Sequence, residues 1–365
     1  MLAELDGFRE KVENEIRSCL TMPSPPLFGL NTMNCYHMGF CDREGKPSSS
    51  PKGKYLRPLF CIAMCAGLGG DPEQAVPAAA ALELAHRTSL VFDDIQDKGQ
   101  ERNNQPTMWA IWGADQAINA GLALSCYARL AILRMTLRNV PRDKVLGVSS
   151  VLENAVIDLC HGQFMDISLM DAPTVRVKEY LQMVRGKTGV LFAAACSVGA
   201  LVASPEPEVV KAPPGIPDGK RFRYMRFDPV LSAAWEFGLN MGMAFQIHDD
   251  YLGVWGDEAM VGKTANDIQE KKRSLPVVLA LEQFPDEIVS PNRTMRNWLG
   301  ADFISREDAA DIRAWMDNKG IPQQVKRVEA RYLKKARGNL DSLALQREWR
   351  GQFDEVLSFL SERKI

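Results

Sequence analysis

The sequence predicts an all-α protein, a large helical domain of roughly ten helices that is wider than a four-helix bundle. Three observations carry this. Helical periodicity runs through long Ala- and Leu-rich segments. Strand-type alternation is scarce. With 365 residues, 46% of them hydrophobic, the chain has apolar surface for a large core. The whole chain, 1–365, reads as a single domain.

The elements follow in order. The opening stretch MLAELDGFREKVENEI is amphipathic and charged and lacks the apolar core of a signal peptide. Residues 21–53 carry many Pro, Ser, Gly and Asn residues and are expected to form an irregular entry segment. Helical segments come next over 55–70, 73–97, 107–138, 143–170 and 176–203. Within 73–97 the run AAALELAHRTSLVF is apolar on more than one face, as in a buried helix. The longest apolar stretch, GVLFAAACSVGALVAS, is short for a membrane span and reads as another buried helix. Residues 204–228 are Pro-rich and then basic, and a loop of that length in a helical domain is a candidate lid or a disordered insertion. Helices over 230–255, 269–283, 305–318 and 321–338 complete the prediction.

The formal net charge is −2, which argues against bulk electrostatic binding to nucleic acid or an anionic membrane. An anionic ligand must be held by local charge clusters. Eight cysteines, none in a C-x-x-C pair, and four histidines make a zinc site a poor reading. Most of the cysteines lie in apolar runs, which fits a reducing, cytoplasmic setting.

Two acidic clusters stand out. In DDIQD, Asp93 and Asp97 are four residues apart and share a helix face, with Asp94 beside them. Like charges at this spacing are mildly destabilising, so something should offset them. The second cluster, FQIHDDYLGVWGD, places Asp249 and Asp250 after another apolar helical run. Each cluster is followed by basic residues. Carboxylates ending buried helices suit Mg²⁺, which takes oxygen ligands and keeps waters and substrate phosphates. A solvated acidic face is the plainer reading of either cluster alone.

Together with four further motifs, these clusters resemble the trans-isoprenyl diphosphate synthase, or polyprenyl synthetase, family from about residue 34 to the end. GKYLRP (53–58) is similar to the family's G-K-x-x-R-P segment, GQFMD (162–166) to G-Q-x-x-D, and KTG (187–189) to its K-T motif. ELAHRTSLVFDDIQD resembles the first aspartate-rich helix, and FQIHDDYL with GKTANDIQEKKRSLP the second. The resemblance implies an isoprenoid synthase-type helical bundle around a deep central cavity, forming a homodimer. It implies Mg²⁺, three ions when diphosphate is bound, on Asp93, Asp97 and Asp249, with Asp94 and Asp250 in outer positions. It assigns Arg102, Lys187, Lys263 and Lys272 to the allylic diphosphate, supported by Gln163 and Asp166. Lys54, Arg57 and His86 match the isopentenyl diphosphate pocket, although His86 also reads as a satisfied core histidine. Thr88 and Ser89 match the cavity floor. Both are small, which favours a product of twenty carbons or longer unless a bulky side chain from elsewhere blocks the tunnel. Met108 and Trp109 read chiefly as core.

The chemistry implied is ionisation. The leaving diphosphate gains negative charge as its C–O bond breaks, and Mg²⁺ with fixed cations stabilises that charge. The allylic cation needs an apolar cavity that excludes water.

Three positions depart from the pattern. Asn103 stands where a second arginine is expected, Leu122 where an aspartate is, and Gly253 in place of the last aspartate of the second motif. Asparagine cannot replace a guanidinium on a diphosphate. Losing a charge-assisted hydrogen bond of about 1.5–3 kcal/mol weakens binding by roughly one to two orders of magnitude. Elongation with isopentenyl diphosphate is the first expectation. Cyclisation of an allylic diphosphate without that co-substrate is the alternative, favoured by Asn103 and Leu122. Prenyl transfer to another acceptor and a non-catalytic partner subunit are lesser ones.

Overall fold

A computed structural model describes residues 6–20, 28–48, 53–170, 172, 174–204, 228–256, 267–290, 293–298, 301 and 303–362. Among the described residues the elements are helices, apart from two minimal antiparallel hairpins, Glu101–Arg102 with Gln105–Pro106 and Ile288–Ser290 with Arg293–Thr294. The chain divides into two compact units. One comprises Met1–Asn154, Ala194–Ala234 and Ala344–Arg350, the other Ala155–Ala193, Trp235–Leu343 and Gly351–Ile365.

The first unit is organised around the Pro72–Gln96 helix, which packs on the Ala114–Leu133, Leu56–Gly67 and Asp6–Cys19 helices. Asp71 caps its start, accepting from the Glu73 N–H at 3.0 Å, and Pro72 follows where a missing N–H costs nothing. Ala75, Ala78, Ala79, Ala80 and Ala81 are fully buried, so neighbouring helices approach its backbone closely. Val12, Ile16 and Leu20 form the buried stripe of the first helix.

The second unit holds a core of Tyr180, Ile247, Leu275, Val278, Trp298, Ile312, Met316 and Val325, among others. Phe237 and Phe353 meet edge to face in it, with centroids 5.2 Å apart.

Several expectations change. The 21–53 stretch, expected to be irregular, carries the Phe28–His37 helix, whose Asn31, Thr32, Met33 and Asn34 are buried. The 107–138 segment is not one helix. Gly113, at φ 82 and ψ 159, separates Met108–Trp112 from Ala114–Leu133, and a 3₁₀ turn, Arg134–Arg138, closes the run. The segment expected over 269–283 is helical only from Leu275, because Pro276 fits the first turn and not an interior. The Arg347–Glu362 helix was not expected. Its residues Phe353, Val356, Leu357 and Leu360 are buried at helical spacing within a highly charged stretch. The candidate lid over 204–228 lies outside the described residues, apart from its two ends.

Two helices, Ala114–Arg138 and Val177–Ala203, are long and apolar enough to cross a membrane by length and composition. The apolar run at 190–202 is core, as expected: Leu191, Phe192, Ala193, Ala194, Ala195, Cys196 and Val198 have no exposed surface.

Candidate active site

The first cluster sits at the C-terminal end of the Pro72–Gln96 helix, with Asp97 as its C-cap. The helix dipole already places negative charge there, and its last turn holds no basic residue. Three carboxylates at this end therefore need a cation. Arg102 supplies part of it: its Nε donates to Asp94 Oδ1 at 2.8 Å and its Nη2 to Asp93 Oδ2 at 3.0 Å. Asp94 is buried, and its Oδ2 has no hydrogen-bond partner. Burial pushes its carboxyl above the usual range, with Arg102 opposing. Asp93 is half-buried and Asp97 exposed.

Arg102 is held by a hairpin. Glu101 pairs with Pro106 and Arg102 with Gln105, leaving Asn103 and Asn104 as a two-residue turn at φ 53 and φ 60. Both are left-handed, as a type I′ turn requires, and asparagine tolerates this better than other side chains. The departure at 103 thus has a backbone reason that the motif comparison did not anticipate. The hairpin is anchored by the Tyr36 hydroxyl donating to the Pro106 carbonyl at 2.8 Å. Thr107 and Trp109 both donate to the Gly99 carbonyl at 2.8 Å. Trp109 is thus a strap on this loop, and Met108 is buried core, as expected.

The residues expected for the second diphosphate lie in the same unit. Arg57 and His86 are half-buried and close enough that each cation nearby acts on the other groups; Lys54 is exposed. Burial, with Arg57, Arg87 and Arg102 adding, drives the His86 imidazole well below its ordinary pKa, so it stays neutral. Burial lowers Arg57 to about 10. Arg87, which sequence reasoning did not single out, belongs to this group. It is buried, pairs with Glu83 at 2.8 Å one turn earlier, and accepts on its carbonyl a bond from His37 Nε2 at 2.9 Å. The signal for it was the E-x-x-x-R spacing at 83–87 within an otherwise apolar helix.

Thr88 and Ser89 spend their hydroxyls on their own helix, donating to the carbonyls of Leu84 at 2.9 Å and His86 at 2.7 Å. Leu122 is 60% exposed, on the same face of its helix as Ile118. The preceding Gly121 is the residue packed on Phe92 and Val91. The Leu122 side chain therefore points out of the helix packing.

In the second unit, Asp249 is exposed and Asp250 buried near the end of the Pro229–Trp255 helix. Asp250 is spent on the protein. Oδ2 accepts from the Tyr180 hydroxyl and from the Leu275 N–H at 2.7 Å, and Oδ1 accepts from Gln246 at 2.9 Å. Burial pushes its carboxyl up to about 7 against those three bonds. Gln246 in turn accepts from Thr188 at 2.9 Å, which ties the K-T motif to the aspartate pair. Lys187 and Thr188 lie in a π-helical turn, Arg185–Gly189. That turn rests on Gly162 of the G-Q-x-x-D motif, where a Cβ would come within 3.0 Å of the Lys187 nitrogen. Lys187 Nζ donates to Asp166 at 2.6 Å, and Gln163, on the same helix as Asp166, is half-buried. Lys272 pairs with Glu270 at 2.6 Å and Asp267 at 3.4 Å. Lys263 lies outside the described residues.

Among the described residues no three His, Cys, Asp or Glu side chains are gathered into a metal cage. The donor set still fits Mg²⁺. It is all oxygen, it includes the unpartnered Asp94 Oδ2, and Mg²⁺ uses one or two carboxylates with waters and phosphate oxygens.

An all-α fold carrying these paired aspartates with cations beside them is the arrangement that the motif resemblance implied. Residues 45–316 match the family described as polyprenyl synthetase, and the chain belongs to it. It is 36% identical over 255 residues to a geranylgeranyl diphosphate synthase of Mycobacterium tuberculosis, covering 69% of this chain and 65% of the relative. It is 33% identical over 277 residues to a (2E,6E)-farnesyl diphosphate synthase of Mycobacterium bovis, covering 76% and 68%. The crystal structure of a polyprenyl synthetase from Streptomyces coelicolor superposes with a TM-score of 0.81 at 29% identity, covering 97% of this chain and 98% of that one.

Proposed function

We propose that the protein is a prenyltransferase. It ionises an allylic prenyl diphosphate and condenses the cation head to tail with isopentenyl diphosphate, giving an all-trans product of twenty carbons or longer. Family membership supports the reaction class, and the relatives named above are chain-elongating synthases. The observation that carries the reading is the set of basic residues kept at the positions expected for the second diphosphate, half-buried Arg57 and exposed Lys54 in the first unit. The cyclase alternative finds no support among these relatives.

Asp93, Asp97 and Asp249 are the magnesium-facing carboxylates, three ions being the number expected with diphosphate bound. When bound, magnesium supplies positive charge to the diphosphate as it leaves. The chain's own residues set the stage. Arg102 fixes the direction of Asp93 through a two-armed contact with both aspartates. Asp250 holds its helix end against Tyr180 and Leu275, and so orients Asp249. Lys187 and Lys272 are partly exposed and paired with carboxylates, weak pairings that an incoming diphosphate can exchange for its own oxygens. The small, internally bonded Thr88 and Ser89 support the longer product.

A homodimer belongs to the same reading. Ile118, Leu122, Leu130, Leu133 and Leu137 form an exposed apolar stripe along one helix and its 3₁₀ extension, as a self-association face would. A reducing, cytoplasmic setting is supported by Cys61, Cys65 and Cys196, which are buried as small apolar groups with thiols pushed upward by burial.

The test incubates the purified chain and Mg²⁺ with farnesyl or geranylgeranyl diphosphate, with and without isopentenyl diphosphate. Longer linear diphosphates are expected only when isopentenyl diphosphate is present. Hydrocarbons or alcohols formed in its absence would overturn the reading.

A further inference from the structure

The backbone around Lys54 is held in an unusual conformation. Gly53 lies at φ 83 and Tyr55 at φ 51, the second in the left-handed region that a bulky side chain rarely enters. Tyr55 is also the N-cap of the Leu56–Gly67 helix, and its carbonyl accepts from the Leu59 N–H at 3.1 Å. Backbone strain of this kind persists only where the surroundings impose it, and it gathers at functional sites. Here two arginines impose it. Arg9 Nη2 donates to the Gly53 carbonyl at 2.8 Å, and the Arg9 Cζ stands 5.2 Å from the centroid of the buried Tyr55 ring. The Arg87 Cζ is 5.9 Å from the same centroid, and its Nη2 lies 2.7 Å from where a Cβ on Gly53 would be. Both arginines stand on firm supports. Arg87 is buried and paired with Glu83 at 2.8 Å. Arg9 projects from the Asp6–Cys19 helix, whose Val12 and Ile16 have no exposed surface and whose buried Glu15 pairs with Arg134 at 2.5 Å and Arg138 at 3.3 Å. Between the two left-handed residues Lys54 is exposed, and Arg57 follows half-buried in the first turn of the next helix.

We propose that Arg9 is a positioning residue for isopentenyl diphosphate: from the first helix it clamps the Gly53–Tyr55 turn and so sets the direction of Lys54 and the start of the helix that carries Arg57. The proposal rests on the elongation reading given above. Arg9 lies outside the span 45–316 that matches the family, so this clamp belongs to the chain's own N-terminal helix and not to the shared motifs. Arg9 does not itself touch the diphosphate. Its guanidinium is spent on the Gly53 carbonyl, on the Tyr55 ring and on Glu13 at 3.6 Å. Its effect is to hold a strained turn in one conformation, so that substrate binding does not have to order it.

The test measures initial rates of the full-length protein with farnesyl diphosphate at saturating Mg²⁺, varying each substrate in turn, with unfolding temperature as a control. Arg9→Ala is expected to raise KM for isopentenyl diphosphate about tenfold, as loss of binding to one substrate does. KM for farnesyl diphosphate should stay within about twofold, and the unfolding temperature within about 2 °C. Arg9→Lys keeps a charged donor for the Gly53 carbonyl and is expected to recover to within about threefold of the parent. Lys11→Ala removes the ion pair of the same helix with Glu73 and should leave both KM values unchanged. An unchanged KM for isopentenyl diphosphate in Arg9→Ala would overturn the proposal. So would an equal rise in both KM values, an Arg9→Lys variant no better than Arg9→Ala, or a Lys11→Ala variant as impaired as Arg9→Ala. A parent protein that extends no chain would sink the functional reading alone. Calorimetric binding of isopentenyl diphosphate then carries the comparison, with the same tenfold loss expected in Arg9→Ala. Equal binding by the two proteins, or none by the parent, would overturn the clamp.

Discussion

The two aspartate pairs solve one problem with different anchors. At Asp93–Asp94 and at Asp249–Asp250 alike, the second carboxylate is buried and the first is more open. The buried member fixes the helix end and leaves its neighbour to act outward. At the first pair the anchor is a charge: Arg102 grips Asp94 and Asp93 together, and one buried oxygen of Asp94 is left over. At the second pair the anchors are neutral, and Tyr180, Gln246 and the Leu275 N–H saturate Asp250. The difference teaches that a repeated D-D motif does not mean repeated surroundings. One half is held electrostatically by a hairpin, the other by a buried hydrogen-bond network.

The largest effects should come from the outward carboxylates, where the two halves ought to behave alike. Asp93→Ala and Asp249→Ala should each lower kcat/KM by roughly 10³-fold or more, on the scale of lost electrostatic stabilisation at a transition state, with little change in unfolding temperature. Assays at saturating Mg²⁺ check this, and a large effect at only one of them would break the symmetry.

The anchors should separate. Tyr180→Phe leaves a buried carboxylate oxygen short of a donor and should cost about 1–3 kcal/mol of stability, read by urea unfolding. Arg102→Lys keeps a charge but loses the two-armed geometry. It should lower kcat/KM about tenfold while stability moves by less than about 1 kcal/mol, since the guanidinium is part-exposed.

A pH effect belongs to the first half. Burial and Arg87 drive His37 down to about 3, from 6.5 in the unfolded chain. Below pH 6.5 the unfolded state takes up a proton that the folded state refuses, so stability should fall as pH drops from 6.5 towards 3 and be complete above 6.5. Unfolding midpoints across pH 4–7 read this slope, and His37→Gln should reduce it, leaving the part that His86 contributes.

The smallest effect tests the hairpin. Asn103→Gly should shift stability by only a few tenths of a kcal/mol, whereas Asn103→Val, forced into φ 53, should cost about 1–2 kcal/mol. Equal effects would mean that the turn does not constrain this position.

Periodicity and motif order were enough to reach the helical class, the buried helices at 73–97 and 190–202, and the identity of the paired aspartates, because these depend on local spacing along one helix. Amphipathic helices with highly charged faces, such as Arg347–Glu362, escaped notice. Their four buried side chains are apolar only on a narrow stripe. Asn103 brings no charge, and only its φ showed what it brings instead, a residue suited to a type I′ turn. The exposure of Leu122 depends on packing that its helix alone does not show. Arg87 looked like any charged helix residue until its burial against Glu83 was seen.

The sequence by itself determined which residue types stand at each motif and on which helix face they lie, since covalent order and a 3.6-residue period settle both. Only the tertiary structure decided which carboxylates face outward and which are consumed as anchors, and that Arg9 grips the turn that carries Lys54. Those outcomes turn on contacts between residues far apart in the chain, where burial and excluded volume, rather than local pattern, set the energy.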